Sequence, residues 1–277
     1  MIAQTQNLPV RNVAMQDYLA LAPSALALER ILEWRIYARL SFPRPVLDVG
    51  CGEGLFAHVL FSEPVDAGID PNSRELERAR EWGSYSELIH GFGDKIPKQD
   101  NTFQTVFSNS VLEHIPDLPP VLKEIHRVLA PGGCFYLTVP SHRFEEFNWP
   151  VQFLNALSLT GLSQRYRRFF NRFWRHHTAQ ELPKWKALLE EHGFLVESAQ
   201  YYGTKKSCLL NDALVPPGMI GLLTKKLTNK WTLCPAFRRL YLAPLIPIFR
   251  NMNANAVGID EGGLVFLSAR KKSSETR

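Results

Sequence analysis

Between residues 45 and 139, short apolar runs alternate with amphipathic stretches. The runs predict strands near 45–49 (PVLDV), 65–70 (VDAGID), 86–90 (SELIH), 103–108 (FQTVFS) and 133–139 (GCFYLTV), each short, apolar and bounded by turn formers. Helices are expected over 54–62, 72–83 and 117–129. In the last of these, Leu118, Val121, Leu122, Ile125, Val128 and Leu129 share one face before Pro131-Gly132-Gly133 stops it. A leading helix over 24–41 comes before the first strand. This alternation implies an α/β fold, a mostly parallel sheet with helices on both faces. Later, Thr178 and Glu181 have capping-box spacing and predict a helix over 178–192 that stops at Gly193; strands at 194–202 and 263–269 follow.

Composition narrows the class. With 277 residues, 45% hydrophobic and 21% charged, the chain is a globular protein rather than a disordered, collagen-like or disulfide-scaffold one. Its four cysteines, at 51, 134, 208 and 234, form no CxxC pair, so no metal site is expected and a reducing cytoplasm suits them. Residues 1–15 lack the clustered basic start and apolar core of an export signal. The most apolar windows, 207–224 and 231–249, are broken by Asp212, Pro216-Pro217-Gly218, Arg238-Arg239, Pro244 and Pro247, too often for a membrane span.

The densest chemistry lies at 46–54, VLDVGCGEG. A buried strand ends in Gly50-Cys51-Gly52-Glu53-Gly54 and a helix begins at once, an arrangement in which turn amides face a ligand at close range. The next strand ends in Asp70, placed to accept both hydroxyls of a ribose. A nucleoside site is the reading that joins the two. No Lys-Ser or Lys-Thr follows Gly54, which excludes a P-loop; the glycines run GxGxG rather than GxGxxG, and Asp48 would repel a pyrophosphate.

VLDVGCGEG, GIDPNS, GFGD, FSNSVLEHIPD and EIHRVLAPGGCFYLTVP, in that order over about 45–140, resemble the class I S-adenosylmethionine-dependent methyltransferases, in their type 11, small-molecule branch. The resemblance implies a Rossmann-like, seven-stranded sheet whose final strand, 263–269, runs antiparallel. It implies S-adenosylmethionine as cofactor, with Asp48 near its cationic amine, Gly50, Cys51, Gly52 and Gly54 around its methionine part, and Asp70 on the ribose. Pro71 would lie against the adenine face, Asp94 and the backbone of Lys95 would read the adenine edge, and Ser108 and Asn109 would line the floor near the methyl group. The methyltransferase core would span 45–203 with 263–271. Around it lie an N-terminal helical cap at 1–44, insertions at 144–177 and 204–262, and a tail at 272–277.

A sulfonium is already activated toward displacement, so such a protein aligns and dries the reactants and needs a base only where the nucleophile starts protonated. Base candidates are His142 and His114, both just past strand ends, then His177, with Glu113 behind them. His176 and His177 also suit a capping or surface role. The chain lacks the Asn/Asp-Pro-Pro-Tyr/Phe tetrad of amino-group methylases and the Pro-Cys pair of cytosine C5 enzymes. The insertions carry the positive charge: 204–250 is +7 and 144–177 is +3, which leaves −5 elsewhere. Within QRYRRFFNRFWR (164–175), Arg165, Arg168, Arg172 and Arg175 take one helical side, and Tyr166, Phe169, Phe170, Phe173 and Trp174 the other. Such a helix closes a substrate pocket as a lid or lies on an anionic membrane surface; RNA fits poorly beside an otherwise acidic chain. The expected function is methyl transfer to a small, hydrophobic or membrane-derived acceptor by a cytoplasmic protein at the membrane surface. A catalytically silent cofactor-binding partner or scaffold subunit is the alternative.

Overall fold

The computed structural model describes residues 6–12, 15–247, 251 and 257–272. Strands apolar on both faces form its centre: β1 (Val46–Val49) is buried throughout, and β4 (Phe103–Asn109) at every position but Gln104. Side chains buried on both faces belong to a sheet covered on both sides. β2 (Val65–Asp70) and β3 (Tyr85–His90) extend the sheet one way from β1, and β4 and β5 (Leu129–Pro140) the other, all parallel. Beyond β5 lie β8 (Leu264–Lys271), β6 (Phe194–Tyr202) and β7 (Val257–Ile259), all antiparallel pairings. The order is β3-β2-β1-β4-β5-β8-β6-β7, eight strands rather than seven. The added strand is short and edge-placed, three residues inside the second insertion that pair with Tyr201 and Tyr202.

The chain reverses its direction of travel across the sheet between β1 and β4. That switch point, at the carboxyl ends of the strands, is where open α/β sheets bind ligands. One face is packed by α5 (Leu118–Val128) and α8 (Leu182–Glu191), whose Ile125, Trp185 and Leu189 are fully buried against Leu47, Val106 and Phe135. The other face carries α2 (Ser24–Tyr37), α3 (Leu55–Leu60) and an aromatic cluster. Phe42 meets Phe61 at 5.0 Å and 81° and Tyr136 at 5.4 Å and 71°. Such edge-to-face pairs contribute about 0.5–1.5 kcal/mol each beyond their buried area.

The insertions are helical. The first holds α6 (Trp149–Ala156) and α7 (Thr160–Trp174), and the second holds α9 (Lys205–Ala213), α10 (Val215–Thr228) and α11 (Pro235–Leu242), the last packed on α1 (Met15–Leu21). Three sequence expectations change. The leading helix ends at Tyr37 rather than 41, with Ala38 as its C-cap and turn bonds at Arg39 and Leu40. The helix placed at 178–192 starts at Leu182, and Thr178 does not cap it: Pro183 sits in its first turn, while the Thr178 N–H donates to the Glu113 carbonyl at 3.2 Å. Fully buried chain at Leu129 already pairs with Phe103, so β5 begins four residues early and absorbs the Pro-Gly-Gly as an irregularity. α4 (Ser73–Trp82) and α5 match their expected positions to within a residue.

Candidate active site

β1 brings Asp48 and the glycine turn to the switch point. Gly50, Gly52 and Gly54 all have left-handed φ, at 81°, 51° and 75°. The turn bonds largely to its surroundings in the chain. The N–H groups of Gly50 and Cys51 donate to the Ile69 carbonyl at 2.8 and 3.1 Å, that of Gly52 to Asp70 Oδ2 at 2.9 Å, and that of Gly54 to the Cys51 carbonyl at 3.0 Å. The expected cradle of free glycine amides is therefore corrected: a buried chain reversal has to satisfy its own donors. What the loop offers instead is room. A Cβ on Gly52 would meet nothing within 4 Å, whereas one on Gly50 would overlap Val111, whose Cβ lies 2.9 Å away.

Two acids flank that room. Asp48 is 4% exposed, and Tyr85 donates its hydroxyl to Oδ2 at 2.7 Å. Burial pushes its carboxyl up to about 7, against the pull of that hydrogen bond. A carboxyl held near neutrality by desolvation gains most from a cation placed beside it. Asp70 accepts from the Asn72 N–H at 2.8 Å and from Gly52, bonds that oppose the upward push of burial. These bonds orient it, and a carboxylate has acceptor sites left for a diol. The open face at Gly52 and the acids either side of it fit the amino acid and ribose portions of S-adenosylmethionine.

The other expected contacts fall unevenly. Pro71 is exposed, its carbonyl 2.9 Å from His90 Nε2. Asp94 and Lys95 are exposed in the connection after β3, with the Lys95 N–H turned to the Phe92 carbonyl at 3.2 Å. Ser108 has no exposed surface and donates to the Val49 carbonyl at 2.9 Å, so its side chain braces the sheet instead of lining a floor. Asn109 is likewise committed: Nδ2 donates to Glu33 Oε2 at 2.8 Å and Oδ1 accepts from Thr138 at 2.8 Å. Cys51 is 8% exposed, its thiol pushed up by burial and by Asp48, which makes it neutral filler.

Just past the ends of β4 and β5 lies a cavity of about 310 Å³. Both insertions wall it, Phe170 and Trp174 from the first and Leu222 and Trp231 from the second, while Glu113 and His114 close its sheet-edge end. The aromatic face of α7 is thus divided: Phe170 and Trp174 look inward, while Phe169 and Phe173 are 60% and 53% exposed. His114 faces the cavity, and burial lowers its basicity. His142 is not among the residues that line the cavity, and its Nδ1 is buried without a partner. The first choice of base is corrected accordingly: β5 ends at Pro140, and it is Pro140 and Phe144 that reach the wall.

Two sets of functional residues went unread in the sequence. Arg30 donates from Nη1 to both Glu33 oxygens at 2.7 Å and to Ser110 Oγ at 2.8 Å, and Glu33, with no exposed surface, also accepts from Ser110 and Tyr202. The signal available was Glu29, Arg30 and Glu33 close together in a helix that, apart from these and Arg35, is rich in apolar positions. The second set is a latch from the second insertion to the loop. Trp231 Nε1 donates to Glu53, and Lys225 Nζ lies 3.1 Å from Glu53 and 3.2 Å from Glu75. Nothing local in the sequence marks a contact over that distance.

Fold and site together define a nucleoside-binding α/β protein with a partly open apolar cavity at the carboxyl ends of its strands, and comparison with known proteins gives the family. A methyltransferase-domain family profile matches residues 47–137. A demethylmenaquinone methyltransferase of Geobacillus kaustophilus is 30% identical over 195 residues, 62% of this chain and 81% of that protein. A sterol 24-C-methyltransferase of Aspergillus fumigatus is 41% identical over 100 residues, 32% of this chain and 26% of that protein. An S-adenosylmethionine-dependent methyltransferase structure from Thermotoga maritima shares the fold, with a TM-score of 0.55 and 16% identity over 90% of this chain and 91% of that one. The chain belongs to the class I S-adenosylmethionine-dependent methyltransferases, type 11. It spans between 26% and 40% of the length of the first four curated relatives it matches.

Proposed function

We propose that this chain transfers a methyl group from S-adenosylmethionine to a nucleophilic atom of a small apolar acceptor drawn from a membrane. The observation that carries this reading is the apolar cavity just past the ends of β4 and β5, walled by α2 and by the two segments outside the common fold. The names of the relatives support it: demethylmenaquinone and sterols are apolar, membrane-dwelling molecules.

The cofactor supplies a methyl group already activated on a sulfonium. The protein supplies position and dryness. In this reading Asp48 faces the cationic amine, Asp70 takes the ribose hydroxyls, and Pro71 and Asp94 border the adenine. Holding acceptor and methyl donor in line converts a bimolecular encounter into an intramolecular one, worth on the order of 7–11 kcal/mol in favourable cases. The aromatic walls keep water from competing.

The outer surface supports a membrane source. Trp149, Phe153, Phe169 and Phe173 are each more than half exposed on the first insertion, and Arg165, Arg168 and Arg172 are exposed on the same hairpin. Aromatic side chains beside arginines suit the boundary between acyl chains and anionic headgroups. No helix among the described residues is long and apolar enough to cross a membrane. The protein is read as working at a membrane surface, on the cytoplasmic side.

Methyl-labelled S-adenosylmethionine incubated with the protein and a membrane lipid extract tests the transfer. Label moving into the organic phase, and staying aqueous with Asp70→Ala, is the expected result; failure of the wild type to bind the cofactor by calorimetry would overturn the reading. Cosedimentation with anionic vesicles at low salt, weakened by the double variant F169E/F173E, tests the surface.

A further inference from the structure

Glu113 is a buried carboxyl that the fold leaves half satisfied. It is 2% exposed, lines the cavity, and its Oε2 has no hydrogen-bond partner. A buried, unpartnered carboxyl oxygen is costly and persists where something compensates for it. Its backbone already has a structural task, since its carbonyl accepts from the N–H groups of His177 and Thr178. The side chain shares none of that. Three residues earlier in the same 3₁₀ turn and its approach, Ser110 bonds Arg30 and Glu33, and Val111 packs on Gly50 of the cofactor loop, so the segment runs from the cofactor loop to the cavity.

An exit for a proton lies next to it. His114 Nε2 is 3.8 Å from Glu113 Oε1, and the His114 side chain is 42% exposed. Beyond it the His176 ring lies 5.3 Å away. The charged groups that face Glu113 are Arg30, Glu29 and Glu33 of α2, and of these only Arg30 is a cation. A base at this place serves only a nucleophile that starts protonated, as a hydroxyl does.

We propose that Glu113 is the proton acceptor of the reaction, that His114 carries the proton on to solvent, and that the acceptor presents a hydroxyl at one end of an apolar body. The acceptor O–H bond breaks; its proton goes to Glu113 Oε2 and its electron pair forms the new bond to the methyl carbon. The carbon–sulfur bond breaks with its pair left on sulfur, which becomes a neutral thioether. Glu113 then returns to the carboxylate by passing the proton through His114 to water. Burial holds this carboxyl at about 8 in the free protein, a value close to working pH, as suits a base that must both take up and release a proton. Burial lowers the basicity of His114, so that it passes the proton on to water rather than holding it.

The proposal rests on the methyl-transfer reading, and its test has a readout independent of turnover. Infrared difference spectra of the wild type and Glu113→Gln should isolate one carboxyl band that titrates near pH 8 and is absent from the variant. Saturating S-adenosylmethionine should move that midpoint toward acid by more than S-adenosylhomocysteine does, because the two differ by the sulfonium charge. On the labelled lipid extract, E113Q should lower transfer at least about 100-fold and abolish its rise with pH, with part of both restored by E113D. His114→Ala should be rescued by added imidazole. A Glu113 band that titrates in the ordinary carboxylate range, or midpoints equal with the two nucleosides while both bind calorimetrically, overturns the proposal. Loss of calorimetric binding itself falls on the methyl-transfer reading instead.

Discussion

Adding one methyl group at Gly50 and at Gly52 separates what the glycine turn does for the fold from what it does for a ligand. Both residues have left-handed φ, so alanine at either is strained by about 1–2 kcal/mol. At Gly50 the new Cβ would also overlap the Val111 side chain, overpacking that adds about 1–3 kcal/mol. At Gly52 the same atom would enter open space. Gly50→Ala should therefore destabilise by about 2–5 kcal/mol, a fall of roughly 4–15 °C in melting temperature for a chain of this size, and Gly52→Ala by about 1–2 kcal/mol, or roughly 2–6 °C. Affinity should show the opposite order. Measured calorimetrically below both transitions, G52A should lose at least about tenfold in S-adenosylmethionine affinity, since every 1.4 kcal/mol of steric conflict is a factor of ten. The reasoning is refuted if G52A binds like the wild type, or if it melts as low as G50A.

Three further outcomes follow from the buried charges. Asp48, Glu29 and Glu113 are held at about 7, 7 and 8 in the folded protein, above their values in the unfolded chain. The folded form therefore binds more protons between about pH 4 and 8, and its stability declines as pH rises through that range. Melting temperatures of the ligand-free protein should fall from pH 6 to pH 8.5, and Asp48→Asn should flatten the slope. Replacing Arg30 by Met leaves Glu33 buried without its cation and should destabilise by about 3–5 kcal/mol in denaturant titration. Trp231→Phe removes the donor to Glu53 and should cost about 1 kcal/mol while raising the rate at which bound S-adenosylmethionine exchanges, followed by stopped-flow displacement.

The sheet was readable because its strands are short and buried on both faces, and the glycines and Asp70 mark the turn by composition alone. β6 was placed to the residue at Phe194–Tyr202, and α5 to within one. β7 was missed because three residues, Val257–Ile259, make a strand only by pairing with Tyr201 and Tyr202. Thr178 satisfied the capping pattern, yet the Glu113 carbonyl claimed its N–H. Hydrophobic periodicity reports which face is buried but not which buried polar atoms meet. That limit hid the Tyr85 hydroxyl on Asp48 and the Arg30–Glu33 pair, and could not tell that Glu113 lines the cavity while His142 does not. On α7 the sequence separated arginines from aromatics but could not divide the aromatics into Phe170 and Trp174, which face the cavity, and Phe169 and Phe173, which face out.

The bond from Trp231 to Glu53 spans 178 residues. Contacts so remote in sequence form late, because the intervening chain must be ordered before its ends meet. On the ribosome, the strands that carry Asp48 and Asp70 emerge well before α10 and Trp231, so the nascent domain exposes an unlatched turn until most of the polypeptide has been made. A product truncated before residue 225 would lack both this bond and β8, the strand that joins β5 to β6 in the sheet.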